Sequence, residues 1–316
     1  MKTIKACKNL AKELFITQPR KVMLRIEESK KVLEAHIDDD CNVALTRDER
    51  KRVETLGQER KEMLKEILQE FERSGKDVTI DSNEIPLNFS AGGLLHTNGK
   101  NVVVLKRDEN APSYPNYLTS CCGHAENLRE VLYPRIVQVR EGLEEVLYIG
   151  DEMLYVPDIR NLSKSLEGTR HLSFNEIEKI IRRIAKQIGL KPRKIKRVEA
   201  EIIDDKDSVV RVFYNGKKFS ETISKFNIDP EIAEIDLLSL LYLDFSSVDS
   251  IYDGELNYEG SPLDRKVYIA TEKILRTSEG KKIPLPYYKS GKRFPQEDIE
   301  LKYVPQLKES LRLFNF

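Results

Sequence analysis

Pro134 fixes where one helix can begin and so constrains the middle of this chain more than any other residue. Proline has no amide hydrogen to donate and is tolerated only in the first turn of a helix. The segment from Leu132 to Leu147 therefore predicts a helix opening near residue 133. Advancing about 100° per residue from Glu141 puts Glu145 about 40° to one side and Glu144 about 60° to the other. Ile136, Val139, Leu143 and Val146 fall on the opposite face, between about 140° and 220°. One face is made to be buried. The other gathers three carboxylates within a single turn.

Three glutamates that close repel one another unless a positive group lies between them. Hard divalent cations take oxygen ligands, and magnesium commonly uses a few carboxylates with waters and substrate phosphates. Arg140 could hold one carboxylate through a two-pronged pair. The alternative, from the residues alone, is a solvated acidic face, common in a chain with a charged fraction of 34%.

Composition narrows the partners. Lysine plus arginine equal aspartate plus glutamate at 53 each, so the chain lacks the overall basic excess typical of nucleic-acid binders. Hydrophobic residues make up 40%, enough for a real core. No window approaches the roughly 18 apolar residues of a membrane span. Residues Met1 to Lys8 turn charged too soon for a secretory leader. Cys7, Cys41, Cys121 and Cys122 form neither a disulfide framework nor a zinc spacing. The expectation is a soluble, cytoplasmic chain with reduced thiols and no membrane partner.

Along the chain, residues 1–76 are expected to form an all-helical N-terminal domain. Ile4, Cys7, Leu10 and Leu14 recur at helical spacing, as do Met23, Ile26, Leu33 and Ile37, and Thr46 to Glu49 reads as a capping box. These helices would form a bundle packed on the next domain or on a second subunit, so a homodimer through them is one expectation. From about residue 77 the period shortens to that of strands. Val78–Ile80, Gly93–Leu95 and Asn101–Leu105 are expected strands, with Asn98–Gly99 as a hairpin turn between the last two. A helix at 174–190 follows, then strands at 198–203, 209–214, 237–243 and 266–270, and a last helix from Pro305. The fold class is α/β, with helices flanking a mixed sheet.

Arg140-Glu141-x-x-Glu144-Glu145 resembles the core of the Nudix box, G-x5-E-x7-R-E-U-x-E-E-x-G-U, where U is a bulky aliphatic residue. Gly92–Leu95 and Val102–Arg107 are similar to that family's first strands, and Leu118–Glu126 to the strand leading into its glycine. The departures are specific. Gly123 lies 17 positions before Arg140 where the family has 14, Glu130 fills the intermediate glutamate only with inserted residues on both sides, Gly142 replaces a bulky aliphatic, and Leu147 stands at a glycine position. The extra residues fit a loop lengthened ahead of Pro134.

The resemblance implies an α/β/α sandwich over residues 77–316, with a helical embellishment at about 158–195. It implies a hydrolase that cleaves the pyrophosphate linkage of a nucleoside diphosphate derivative by attack of water on phosphorus, with Mg2+ or Mn2+ as cofactor. Glu141, Glu144 and Glu145 would be metal ligands, Arg140 would hold a glutamate in place, and Gly123, Arg107 and His124 would border the substrate. A runner-up reading is a Nudix-fold module that binds a nucleotide or partner without hydrolysis. A third is a plain interaction protein with an acidic helix.

Other residues carry weaker signals. Cys121 and Cys122 read as strand cysteines, because no general base is visible beside them. His36, His96 and His171 have no partner pattern, and Asp253 to Glu255 reads as a turn. The basic run from Lys191 to Arg197 could be solvated or could meet the phosphates of a nucleotide or of RNA.

Overall fold

A computed structural model of the chain describes residues 19–38, 57–97, 101–111, 113–125, 128–158, 174–187, 189–243, 250–253 and 266–315. The chain opens with β1 (Lys21–Glu27), β2 (Lys30–Ile37), α1 (Gln58–Ser74) and β3 (Val78–Asp81). Next come β4 (Asn88–Thr97), β5 (Asn101–Lys106), β6 (Leu118–Thr119) and β7 (Cys121–His124). Two helices follow, α2 (Leu128–Leu132) and α3 (Pro134–Glu145), then β8 (Val146–Gly150), β9 (Met153–Pro157) and α4 (Phe174–Gln187). The second half holds β10 (Ile195–Val198), β11 (Ala200–Ile203), β12 (Ser208–Tyr214), β13 (Lys217–Ile223), β14 (Lys225–Asp229), β15 (Glu234–Leu243) and β16 (Ser250–Asp253). The chain then runs through β17 (Val267–Thr271), α5 (Glu272–Thr277), β18 (Lys282–Lys289), β19 (Lys292–Glu300) and α6 (Pro305–Leu311).

These strands form three sheets. A five-stranded sheet runs β13-β12-β2-β1-β3 and a four-stranded one β10-β9-β8-β16. The largest follows the path β11-β15-β4-β5-β17-β18-β19, with β14 on β15, β7 on β4 and β6 on β5. β15 lies parallel to β4, setting Asp236 beside Ser90, and β7 lies antiparallel on the other edge of β4, setting His124 opposite Ser90. Gly92 is required where β7 crosses: a Cβ there would run into Cys122 and the Cys121 carbonyl.

The expected helices at 21–37 are a correction. Met23, Ile26, Leu33 and Ile37 satisfy a helical spacing, but Val22 and Leu24 are the buried residues of β1 while Ile26 is exposed. Glu28 and Ser29 both adopt positive φ, 47° and 70°, and close a two-residue hairpin that no glycine or asparagine announces. β2 then pairs in parallel with β12, so the start of the described chain is strand-rich and shares a sheet with residues past 200. The helical stretches expected at residues 4–14 and at the start of the Thr46 helix lie outside the described residues, as does the Asn98–Gly99 turn. That helix's later apolar positions do fall on α1, with Leu64 and Phe71 buried.

Helix α3 stands between two cores. Val137 joins Phe89, Ala91 and Leu237 of the large sheet and Val22, Leu24 and Leu33 of the five-stranded sheet. Ile136, Val139 and Leu143 join Leu154 and Val156 of β9 and Ile177, Ile181 and Ile184 of α4. A third core lies under α6, where Leu307 and Leu311 meet Val102, Val104 and Tyr268.

The strand reading of β1 has a direct test. Leu24→Ala empties a fully buried position and should lower the unfolding free energy by about 2–5 kcal/mol. Met23→Ala, at a half-buried position on the other face, should cost less than about 1.5 kcal/mol. A urea midpoint series resolves the two, and the reverse order would restore the helix.

Candidate functional site

Pro134 sits at the first position of α3, as its chemistry demands, and Tyr133 breaks the chain between α2 and α3. That break decides the site. It turns the short α2 so that Glu130, buried, comes back against Arg140, ten residues on. Arg140, with 4% of its side chain exposed, donates from Nε to Glu130 Oε1 at 3.1 Å and from Nη2 to Glu130 Oε2 at 3.0 Å. Nη2 also reaches the His124 carbonyl at 2.8 Å. Nη1 donates to Glu141 Oε1 at 2.5 Å and to Glu144 Oε2 at 3.0 Å. The five bonds match the five N–H groups of a guanidinium.

The last turn of α3 lies against β7. The Cys122 amide donates to Glu145 Oε2 at 2.9 Å. Gly123 faces Glu141 so closely that a Cβ there would collide with the carboxylate. Glu144 leans outward, 26% exposed, and its second oxygen accepts from Arg183 of α4, a residue 44% exposed. The helix then passes straight into β8, with Val146 already extended and Leu147 buried in the strand. Leu147 therefore occupies a strand and not the helical end expected for it.

Arg140, Glu141, Glu144, Glu145 and Gly123 are thus brought together, and Glu130 joins them. Arg107 is engaged elsewhere, donating to the Ser113 carbonyl at 3.0 Å and the Ser113 hydroxyl at 3.2 Å within its own loop. His124 lends its carbonyl to Arg140, while its ring pairs with Glu234 of β15. Sequence reasoning missed Arg183, which lies on another helix and carries no local signal.

The donor set around Gly123 is all oxygen, with the Glu141 carboxylate lying in the space a Cβ would take; oxygen donors of this kind suit a hard divalent cation. As the side chains lie, no three acidic, histidine or cysteine groups among the described residues converge to hold a metal ion. Of the two partners of Glu144, Arg140 is buried and Arg183 exposed.

A second polar cluster occupies the other face of the same strands, since successive side chains alternate between faces. Ser90 Oγ donates to Asp236 Oδ1 at 2.5 Å and Asn227 Nδ2 to Asp236 Oδ2 at 3.4 Å. Tyr114 donates its hydroxyl to Asp229 Oδ2 at 2.8 Å. Burial first, and the Glu234 charge second, push Asp236 up to about 8. Burial likewise raises Asp229 and the Tyr114 phenol. Burial, then the charges of Glu145, Asp236, Glu234 and Glu141, push the Cys122 thiol well up, so Cys122 is a poor nucleophile. A lone acidic residue in the apolar run Ile235-Asp236-Leu237-Leu238 is the signal that could have flagged this cluster.

No protein-family model matches the chain, and no curated protein matches it. Among solved structures it is similar to a hydrolase of the Nudix family from Clostridium perfringens, at 11% identity and a TM-score of 0.29 over 72% of this chain and 98% of that one. It is also similar to a Nudix hydrolase from Alicyclobacillus acidocaldarius, at 10% identity and a TM-score of 0.30 over 60% and 82%. Superpositions this loose leave the weight on the local geometry of α3. No helix among the described residues is long and apolar enough to cross a membrane.

Two predictions follow from the site. Arg140→Met leaves Glu130 buried without its cation and should cost about 3–5 kcal/mol of stability in urea unfolding, with Arg140→Met/Glu130→Met recovering part of the loss. Asp236 binds its proton more tightly folded than unfolded, so the native state holds more protons between the two values. Stability should therefore fall as pH rises from about 4 toward about 8. Asp236→Asn should flatten that slope, and an unchanged slope would rule out Asp236 as its source.

Proposed function

We propose that the chain is a metal-dependent hydrolase of the Nudix type, cleaving a pyrophosphate linkage in a nucleoside diphosphate derivative. The observation that carries the reading is the clamp of Arg140 on Glu130, Glu141 and Glu144 beside Gly123. It joins the residues of the box despite the altered spacing. Glu141, Glu144 and Glu145 would hold a divalent cation, Mg2+ or Mn2+. When bound, that ion activates water and offsets the negative charge of a polyphosphate.

The chain's own residues supply the rest. Arg140 neutralises part of the carboxylate repulsion and fixes two glutamates from one buried anchor. Gly123 allows Glu141 to lie flat against β7. The Cys122 amide orients Glu145 by donating to its Oε2. Arg183, exposed and held only at its tip, borders the site from α4 and can turn toward an anionic substrate once Glu144 is taken.

A second reading is a Nudix-fold module that binds a nucleotide or partner without turnover. The double pairing of Glu144 with Arg140 and Arg183 favours it, because both oxygens already have cationic partners.

Incubation with magnesium or manganese and a panel of nucleoside diphosphate derivatives separates the two. The hydrolase should release nucleoside monophosphate, with Glu144→Gln and Glu145→Gln each lowering the rate at least about a hundredfold while melting temperatures stay near wild type. Nucleotide binding without turnover across the panel would establish the second reading instead.

A further inference from the structure

The chain is neutral overall, yet residues 177–198 carry nine lysines and arginines against one glutamate. The fold places that excess on one flank. Helix α4 buries Ile177, Ile181, Ile184 and Ala185 in the core it shares with α3, which leaves Lys179, Arg182, Arg183 and Lys186 exposed. After Gly189, at φ 77°, the chain reverses through Lys191, Arg193 and Lys194 into β10, the edge strand of its sheet, where Lys196 and Arg197 are exposed. Glu178 contacts both Arg182 and Arg197, so helix and strand form one surface. Arg183 carries it to the edge of the acidic site at Glu144.

Part of this charge is compensated. Glu178 serves Arg197, Glu152 serves Lys194 at 2.9 Å, and Lys196 lies over the Tyr155 ring at 4.9 Å. Lys179, Lys186, Lys191 and Arg193 have no acidic partner among the described residues. Lys179 and Lys186 are two helical turns apart, about 10 Å, on the same face. Like charges held this way repel one another and favour a polyanion over solvent.

We infer that this flank binds the phosphodiester backbone of a nucleic acid, independently of whether the α3 site hydrolyses its substrate. Two features favour nucleic acid over an anionic membrane. The apolar face of α4 is already buried and cannot insert into lipid, and none of the exposed large hydrophobic residues of the described chain lies on the flank. Among the described side chains no exposed aromatic ring lies there to stack on bases, so recognition through phosphates, independent of sequence, is the mode proposed.

The test is fluorescence anisotropy with labelled single-stranded RNA of about 16 nucleotides and duplex DNA of similar length, in metal-free buffer across a salt series. The wild-type chain should bind at least one of them with a Kd of about 1–100 µM near physiological salt, weakening steeply as salt rises. Lys179→Glu/Lys186→Glu/Lys191→Glu should weaken binding at least tenfold and lower the slope of log Kd against log salt by about 2–3. The same charge change on other strands, Lys217→Glu/Lys282→Glu/Lys292→Glu, should lower the affinity far less. Acetylation footprinting of the wild-type chain supplies a readout that needs no variant: bound nucleic acid should protect Lys179, Lys186 and Lys191. Absence of binding at low salt, equal loss in both triple variants, no protection of the three lysines, or binding to phosphatidylserine vesicles without binding to nucleic acid would each overturn the inference. Because no metal or turnover enters the assay, its failure leaves the hydrolase reading untouched, and failure of hydrolysis leaves this one standing.

Discussion

A single buried guanidinium organises the centre of this protein. Arg140 reaches Glu130 on one side and Glu141 and Glu144 on the other, and it anchors the strand before them through the His124 carbonyl. Taking an arginine out of water is costly unless every donor is satisfied, and here each N–H finds an oxygen. Lysine could not replace it, because an ammonium offers a point charge in place of a planar fork. The acidic turn of α3 exists in its present form because this clamp offsets the repulsion within it.

Packing explains why the clamp can be so exact in position. Helix α3 is gripped by two cores, one made with the large and five-stranded sheets and the other with β9 and α4. Its carboxylates therefore sit on a rigid element, while Arg183 reaches Glu144 from a more exposed surface. Two kinds of contact meet at Glu144, one buried and fixed and the other solvated. The solvated one contributes little to stability and is the easier to exchange for a ligand.

Much of this was readable from the amino acids. Pro134 gave the helix start, and the helical wheel separated Ile136, Val139 and Leu143 from the glutamates as the structure does. Ahead of Pro134 a lengthened loop was expected, and the chain instead forms the short α2 and the Tyr133 break, which return Glu130 to the arginine. The N-terminal strands were hidden because Met23, Ile26, Leu33 and Ile37 mimic a helical period while the Glu28–Ser29 turn lacks the usual turn residues. The β18–β19 hairpin was missed for a related reason: Pro284, Pro286 and Pro295 argue against strands, yet they lie near the end of the sheet path. Arg183 and Asp236 depend on contacts between elements far apart in sequence, which periodicity does not encode.

The most direct measurement is an anomalous difference map from crystals soaked in manganese. A hydrolase centred on α3 predicts a peak bounded by Glu141, Glu144, Glu145 and the Gly123 turn, with Arg183 moved off Glu144 and Arg140 still on Glu130. A map with no peak there, and Arg183 still paired with Glu144 at saturating manganese, would contradict it.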